Sequence, residues 1–147
     1  MTDLAVIFPE SPRVPTAVDR ALVTDAHVRG LISEPVRVAA LALAATVADA
    51  VECVPDSSAS FAVERGWVSA VVATDERDIE LSIAEVNDRR QAYFSAAEGG
   101  TVLAAGIVRE ADGVPALIRW LAGSPLDTSA LAPGSAALAR VALAVWS

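Results

Sequence analysis

The chain contains no lysine; all eleven of its basic residues are arginine. That removes a P-loop lysine, a Schiff-base lysine and a kinase-type lysine together. Its single cysteine, Cys53, cannot form an internal disulfide, which fits a reducing compartment. Its single histidine, His27, has no His-x-x-x-Glu spacing around it, so a surface or capping role outweighs a metal or acid–base role. A nucleophilic Cys53 would need His27 as its base, and a small buried or half-buried thiol is the favoured reading. No Gly-x-Ser-x-Gly elbow is present. These absences lean the reading away from an enzyme, and no cofactor or metal is expected.

Aromatic residues are scarce as well, 5% of a chain that is 54% hydrophobic. The core must then be built from Ala and Val, each contact contributing little at roughly 25 cal/mol per Å² removed from water. Phe61, Trp67, Phe94, Trp120 and Trp146 should carry a disproportionate share of burial. No apolar run is long: Val38 to Ala48 falls well short of the ~20 residues that span a bilayer. The N-terminus has no basic region and too short an apolar run for a signal peptide. A cytoplasmic protein with no membrane association is the expectation. The net charge of −8 argues against nucleic acid, whose binding needs basic side chains to displace counterions, and suits a basic protein partner.

What is present is a run of short alternating segments between Ser60 and Val108. They read SFAVE, WVSAVVAT, DIELSIAEV, QAYFSAA and TVLAAGIV. Polar breaks separate them: Arg65-Gly66, Asp75-Glu76-Arg77, Asn87 to Arg90, and Glu98-Gly99-Gly100. Such spacing is the signature of an antiparallel meander. Within it Ile79, Leu81 and Ile83 share one face while Glu80 and Ser82 point to water, and Glu85 hints at a bulge or strand end. Ala92, Phe94 and Ala96 should face inward with Tyr93 outward. WVSAVVAT and TVLAAGIV are apolar on both faces, so part of the sheet should be covered by a partner, a second copy being expected.

The flanks read as helices. A weak one runs from Thr16 to about Arg29, with Val18, Ala21, Leu22 and Ala26 as its apolar face and Gly30 as its stop. A long one runs from Glu34 to Val54 after an N-cap at Ser33, striped by Val36, Ala40, Leu43, Val47, Ala50, Val51 and Val54. Val38 and Leu41 lie off that stripe, so its other side should be covered too. A short one follows Asp112-Gly113, with Val114, Leu117, Ile118 and Leu121 on its stripe and Trp120 off it. A final helix spans Ser135 to Trp146. Leu4 to Phe8 reads as a short strand, and residues 1–15 as an N-terminal arm. The fold class is therefore α+β: one domain over 1–147, a meander of about five strands packed by N-terminal and C-terminal helices.

Few residues carry chemistry. Asp75, Glu76, Asp78 and Glu80 cluster at a hairpin tip, yet Arg77 sits among them and a solvated turn is favoured over a cation site. Arg89 and Arg90 followed by Tyr93 form a basic-aromatic spot of the kind enriched at interface hot spots. With Trp67 and Trp120 they are the candidate partner-binding residues. The order of WVSAVVAT-DERD-IELS, RRQAYFSAAEGGTVLAAGIV and DGVPALIRWLAG resembles one half of the ESX (type VII) secretion-associated chaperones of actinobacteria. The resemblance implies a cytosolic protein without catalytic activity that binds a helical secretion substrate. That family has two related halves, so dimerisation would have to supply the second. The leading expectation is a homodimeric, non-enzymatic protein-binding module, most concretely a secretion chaperone or adaptor. The alternatives are an immunity or antitoxin-like acidic binder, and a small-ligand binder or enzyme. The last would have a pocket between the long helix and the sheet, with Tyr93 or Arg119 orienting the ligand.

Overall fold

The computed structural model of the protein describes Phe8 and residues 17–86, 89–108 and 113–126. Within them the order is helix α1 (Ala17–Val28), helix α2 (Glu34–Cys53), strands β1 (Ser58–Glu64), β2 (Trp67–Ala73), β3 (Arg77–Val86), β4 (Arg89–Glu98) and β5 (Thr101–Val108), and helix α3 (Gly113–Leu121). The strands form one sheet in the order β1-β2-β3-β4-β5, every neighbour antiparallel, so the fold is α+β with a meander sheet, as the alternation implied. The final helix from Ser135 to Trp146, the 9–15 stretch and most of the Leu4–Phe8 strand lie outside the described residues. Phe8 alone is described there, and it is buried.

Two glycine turns fix the sheet. Gly99 and Gly100 both take positive φ, +59° and +81°, the backbone that a two-residue type I′ hairpin requires. Gly66 closes the β1–β2 hairpin at φ +66°, and a Cβ there would stand 2.9 Å from the carbonyl oxygen of Glu85. Its N–H donates to the Leu31 carbonyl (2.8 Å) and its own carbonyl accepts from the Glu85 N–H (2.9 Å). One glycine thus ties the hairpin to both the α1–α2 connection and the end of β3.

Helix α2 and its C-cap Val54 bury the expected stripe except for half-buried Val51, and Ala39, Ala42, Ala44 and Ala45 are buried as well. Small side chains over most of the circumference let the helix seat closely between the sheet and α1, which packs against it. Leu41 is half-buried against the core, so that flank is covered, but Val38 stays exposed. Ser33 occupies the N-cap position in extended conformation without capping. Its Oγ donates instead to Glu85 Oε2 at 2.8 Å, joining the helix start to β3.

Helix α1 corrects the expected apolar face. Val18 is 76% exposed, Ala21 and Leu22 are exposed, and only Ala26 is buried, joined by Val23. The reason is the helix stop. The Gly30 N–H donates to His27 and the Leu31 N–H to Ala26, a Schellman closure that turns the chain inward at Ile32. Only the stripe in line with that turn meets the core. Helix α3 ends in the same way, with Gly123 donating to Trp120 and Ser124 to Arg119.

Of the two readings of Glu85, the strand end holds and the bulge does not. β3 pairs continuously to Val86, with Glu85 opposite Arg90, and the register shift falls between Ala96 and Ala97 of β4 instead. Glu85 tolerates an inward register because Ser33 Oγ and Arg90 Nη1 (3.2 Å) both donate to its carboxylate. The shift leaves Leu103 without an opposite number, and it stands 44% exposed. Arg89 and Arg90, expected in the turn, open β4.

Candidate functional site: the outer sheet face

The register divides the sheet into two faces. On the inner one, Val68, Ala70 and Val72 of β2 lie beside Ile79, Leu81 and Ile83 of β3, all buried in one cluster with α2 and α3. Ala92, Phe94 and Ala96 of β4 extend it, as expected. Between the long helix and the sheet, where a ligand pocket was foreseen, the described apolar side chains are buried together in this cluster.

The outer face has a different texture. Trp67, Ser69, Val71 and Ala73 of β2 alternate with the buried set and are each half-buried. Three rows cross the sheet: Trp67–Ala84–Gln91, Ser69–Ser82–Tyr93–Ile107, and Val71–Glu80–Ser95–Ala105. None of these outer residues belongs to the core cluster or packs against it. Small Ser82 and Ala84 form a buried floor between the larger Trp67 and Tyr93, and the result is a groove of about 340 Å³. Strand spacing puts the two aromatic columns ~10 Å apart, with β3 between them. Glu80 lines the groove toward one end; its one hydrogen bond comes from Ser82 Oγ at 3.4 Å. Arg65 lines the other end, beside the Gly66 turn.

The candidate residues divide accordingly. Trp67 and Tyr93 line the groove from opposite sides, and the Tyr93 hydroxyl donates to Gln91 Oε1 at 2.7 Å. Arg89 is exposed at the head of β4, while Arg90 is committed to Glu85. Trp120 does not join them. It is 2% exposed inside the core, and the Arg77 guanidinium lies over its ring at 4.9 Å while donating to its carbonyl oxygen. A residue off the stripe of a short helix faces the sheet's rim here, and Arg77, also paired with Glu98, closes over it. Its ring is therefore unavailable to a partner. Arg119 is exposed on α3 and stands apart from the groove.

The sequence puts Glu80 in a solvated acidic turn and points Ser82 to water, but Ser82 is buried under its larger neighbours, and nothing in the sequence singles out Arg65 or Ala84 as site residues. The period-two run Glu80-Ser82-Ala84 was the available signal, but only the strand register sets it between Trp67 and Tyr93. Elsewhere, His27 Nε2 lies 3.2 Å from Glu34 at the α1–α2 junction. Cys53 is exposed at the end of α2, not sheltered as expected, because the apolar stripe turns off the helix at Val54. Arg37 hydrogen-bonds Glu34 and holds its carboxyl below the usual value, against a smaller opposing cost of desolvation; the same bond raises Arg37. Among the described residues no group of three His, Cys, Asp or Glu side chains could hold a metal ion, and no helix is long and apolar enough to cross a membrane. No family model matches the chain, and neither a curated protein nor a solved structure does.

Proposed function

We propose that this chain is a non-enzymatic protein-binding module that takes its partner on the outer face of the sheet, in a cytoplasmic adaptor or secretion-chaperone role. One observation carries the reading: the described helices bury the inner face, while the outer face keeps Trp67, Val71, Tyr93 and Ile107 half-buried, with Trp67 and Tyr93 lining an amphipathic groove. Tyr and Trp flanked by Arg are the residue types that dominate binding energy at interfaces. The only histidine and the only cysteine, the groups best suited to acid–base and nucleophilic work, line no part of that groove. The resemblance to ESX-associated chaperones points the same way.

Photo-crosslinking tests it. p-Benzoylphenylalanine at position 67 should give a discrete protein adduct that Tyr93→Asp abolishes, while the same group at exposed position 18 gives none. Equal adducts at both positions, or none at 67, would remove the reading. The small-ligand alternative predicts instead a metabolite that raises the melting temperature and competes with no adduct.

A further inference from the structure

The charges around the outer face are not scattered. Arg65 sits in the β1–β2 turn and Arg89 pairs with Val86 at the same end of the sheet. Glu80 and Asp78 lie on β3 at the opposite end. From Ala84, in the row next to Arg65, to Glu80 is four residues of strand, about 13 Å. Arg90, also at the basic end, is neutralised by Glu85, and among the described residues Glu64 is the one carboxylate with outer register there. The rim thus holds Arg65 and Arg89 against Glu64, Glu80 and Asp78. Among the described residues these sum to −1, on a chain whose net charge is −8. No ion pair joins any of these five to another described residue, although Arg77, Glu98, Glu85 and Arg90 nearby are all paired.

A face that is basic at one end and acidic at the other is complementary to itself turned end for end. We propose that the occupant of the outer face is a second copy of this chain, packed face to face about a two-fold axis that crosses the strands through the Ser69–Ser82–Tyr93 row. This rests on the reading that the outer face binds protein, and names the partner. The operation carries the Trp67 row of one copy over the Val71–Glu80 row of the other. It carries Arg65 and Arg89 over Asp78 and Glu80. The contact is isologous, each pair occurring twice, and closes after two chains. Strands of the two sheets run within about 30° of antiparallel, the usual geometry of stacked sheets. The axis runs over Ser82 and Tyr93, so each copy's Tyr93 faces the other's Tyr93 and each Trp67 faces the other's Val71. The alternative axis, along the strands, would set Arg65 and Arg89 against themselves. The net charge of −8 acts over distance and is screened beyond about 8 Å at physiological salt, so the local pairs decide the contact.

The experiment is a charge exchange read by multi-angle light scattering. The wild-type protein should have twice the chain mass. The double variants Arg65→Glu/Arg89→Glu and Asp78→Arg/Glu80→Arg should each dissociate at least tenfold more readily, with unchanged circular dichroism. Mixed in equal amounts, the two should recover the dimer. A wild-type dimer indifferent to both exchanges, or a mixture that stays monomeric, overturns the arrangement. A wild-type monomer overturns the second copy itself, and the solvent exchange of the Trp67 indole N–H then separates the two readings. Rapid exchange leaves the face free for another protein and the module reading standing. Strong protection shows the face filled by the chain's own residues, and both readings fall.

Discussion

The two faces of the sheet are built from the same strands, yet they solve different problems. Inward, the residues are branched and apolar and meet α2 and α3 in a closed core with Leu43, Ile79, Leu81 and Leu117 fully buried. Outward, aromatic side chains stand over serine and alanine, with carboxylates at one end and guanidiniums at the other. The lesson is that hydrophobicity summed along a strand does not say what covers it. β2 reads as apolar throughout, but Val68 and Val72 are sealed while Val71 between them is not. Large side chains are fully buried on one side and half-buried on the other.

The widest test of that contrast pairs Leu81 with Val71. Leu81→Ala opens a cavity in a closed core and should cost about 2–5 kcal/mol in chemical denaturation. Val71→Ala removes half-exposed methyl groups and should cost about 1 kcal/mol or less at low protein concentration. Equal losses for the two at high dilution would erase the distinction between the faces. A smaller effect is expected where the sheet is fastened to the helices. Gly66→Ala meets both a left-handed backbone and the Glu85 carbonyl, and should cost about 1–3 kcal/mol. Gly99→Ala, at positive φ but with open space around it, should cost less. If Gly99 proves the more sensitive, the close approach at Gly66 is not what holds that joint.

The smallest effect belongs to Glu34 and lies wholly on the helix side. Arg37 lowers the Glu34 carboxyl below its ordinary value of 4.5. The ionised form is thus favoured more in the folded chain than in the unfolded one. Its contribution is present above the unfolded value and is lost as the pH falls through the folded one. The melting temperature of Glu34→Gln should therefore sit slightly below wild type at neutral pH and converge with it in acid. Exposure and salt screening keep the difference small. A gap that widened in acid would reverse the assignment.

How much of this could be read beforehand follows from what is local. Strand limits were legible because turn chemistry is local: Arg65-Gly66 and Gly99-Gly100 announce their hairpins whatever surrounds them. The α2 stripe was legible because its period repeats over five turns. The α1 face was not, since Val23 and Ala26 are selected by where Gly30 turns the chain, a matter of tertiary contact. Trp120 looked free because helical periodicity knows nothing of Arg77, forty-three residues upstream, lying over its ring. The groove escaped for the same reason. Trp67, Glu80 and Tyr93 are strangers in sequence, and only cross-strand register makes them neighbours.

Strand order in this sheet is also chain order. Each pairing therefore closes across a tight turn, and no strand waits for a distant segment before it can be matched. The entropy lost in joining neighbours stays near its minimum at every step, so assembly can begin at any of the four hairpins and zip outward. The ladder can thus form early in folding, ahead of the longer-range seating of α2 upon it.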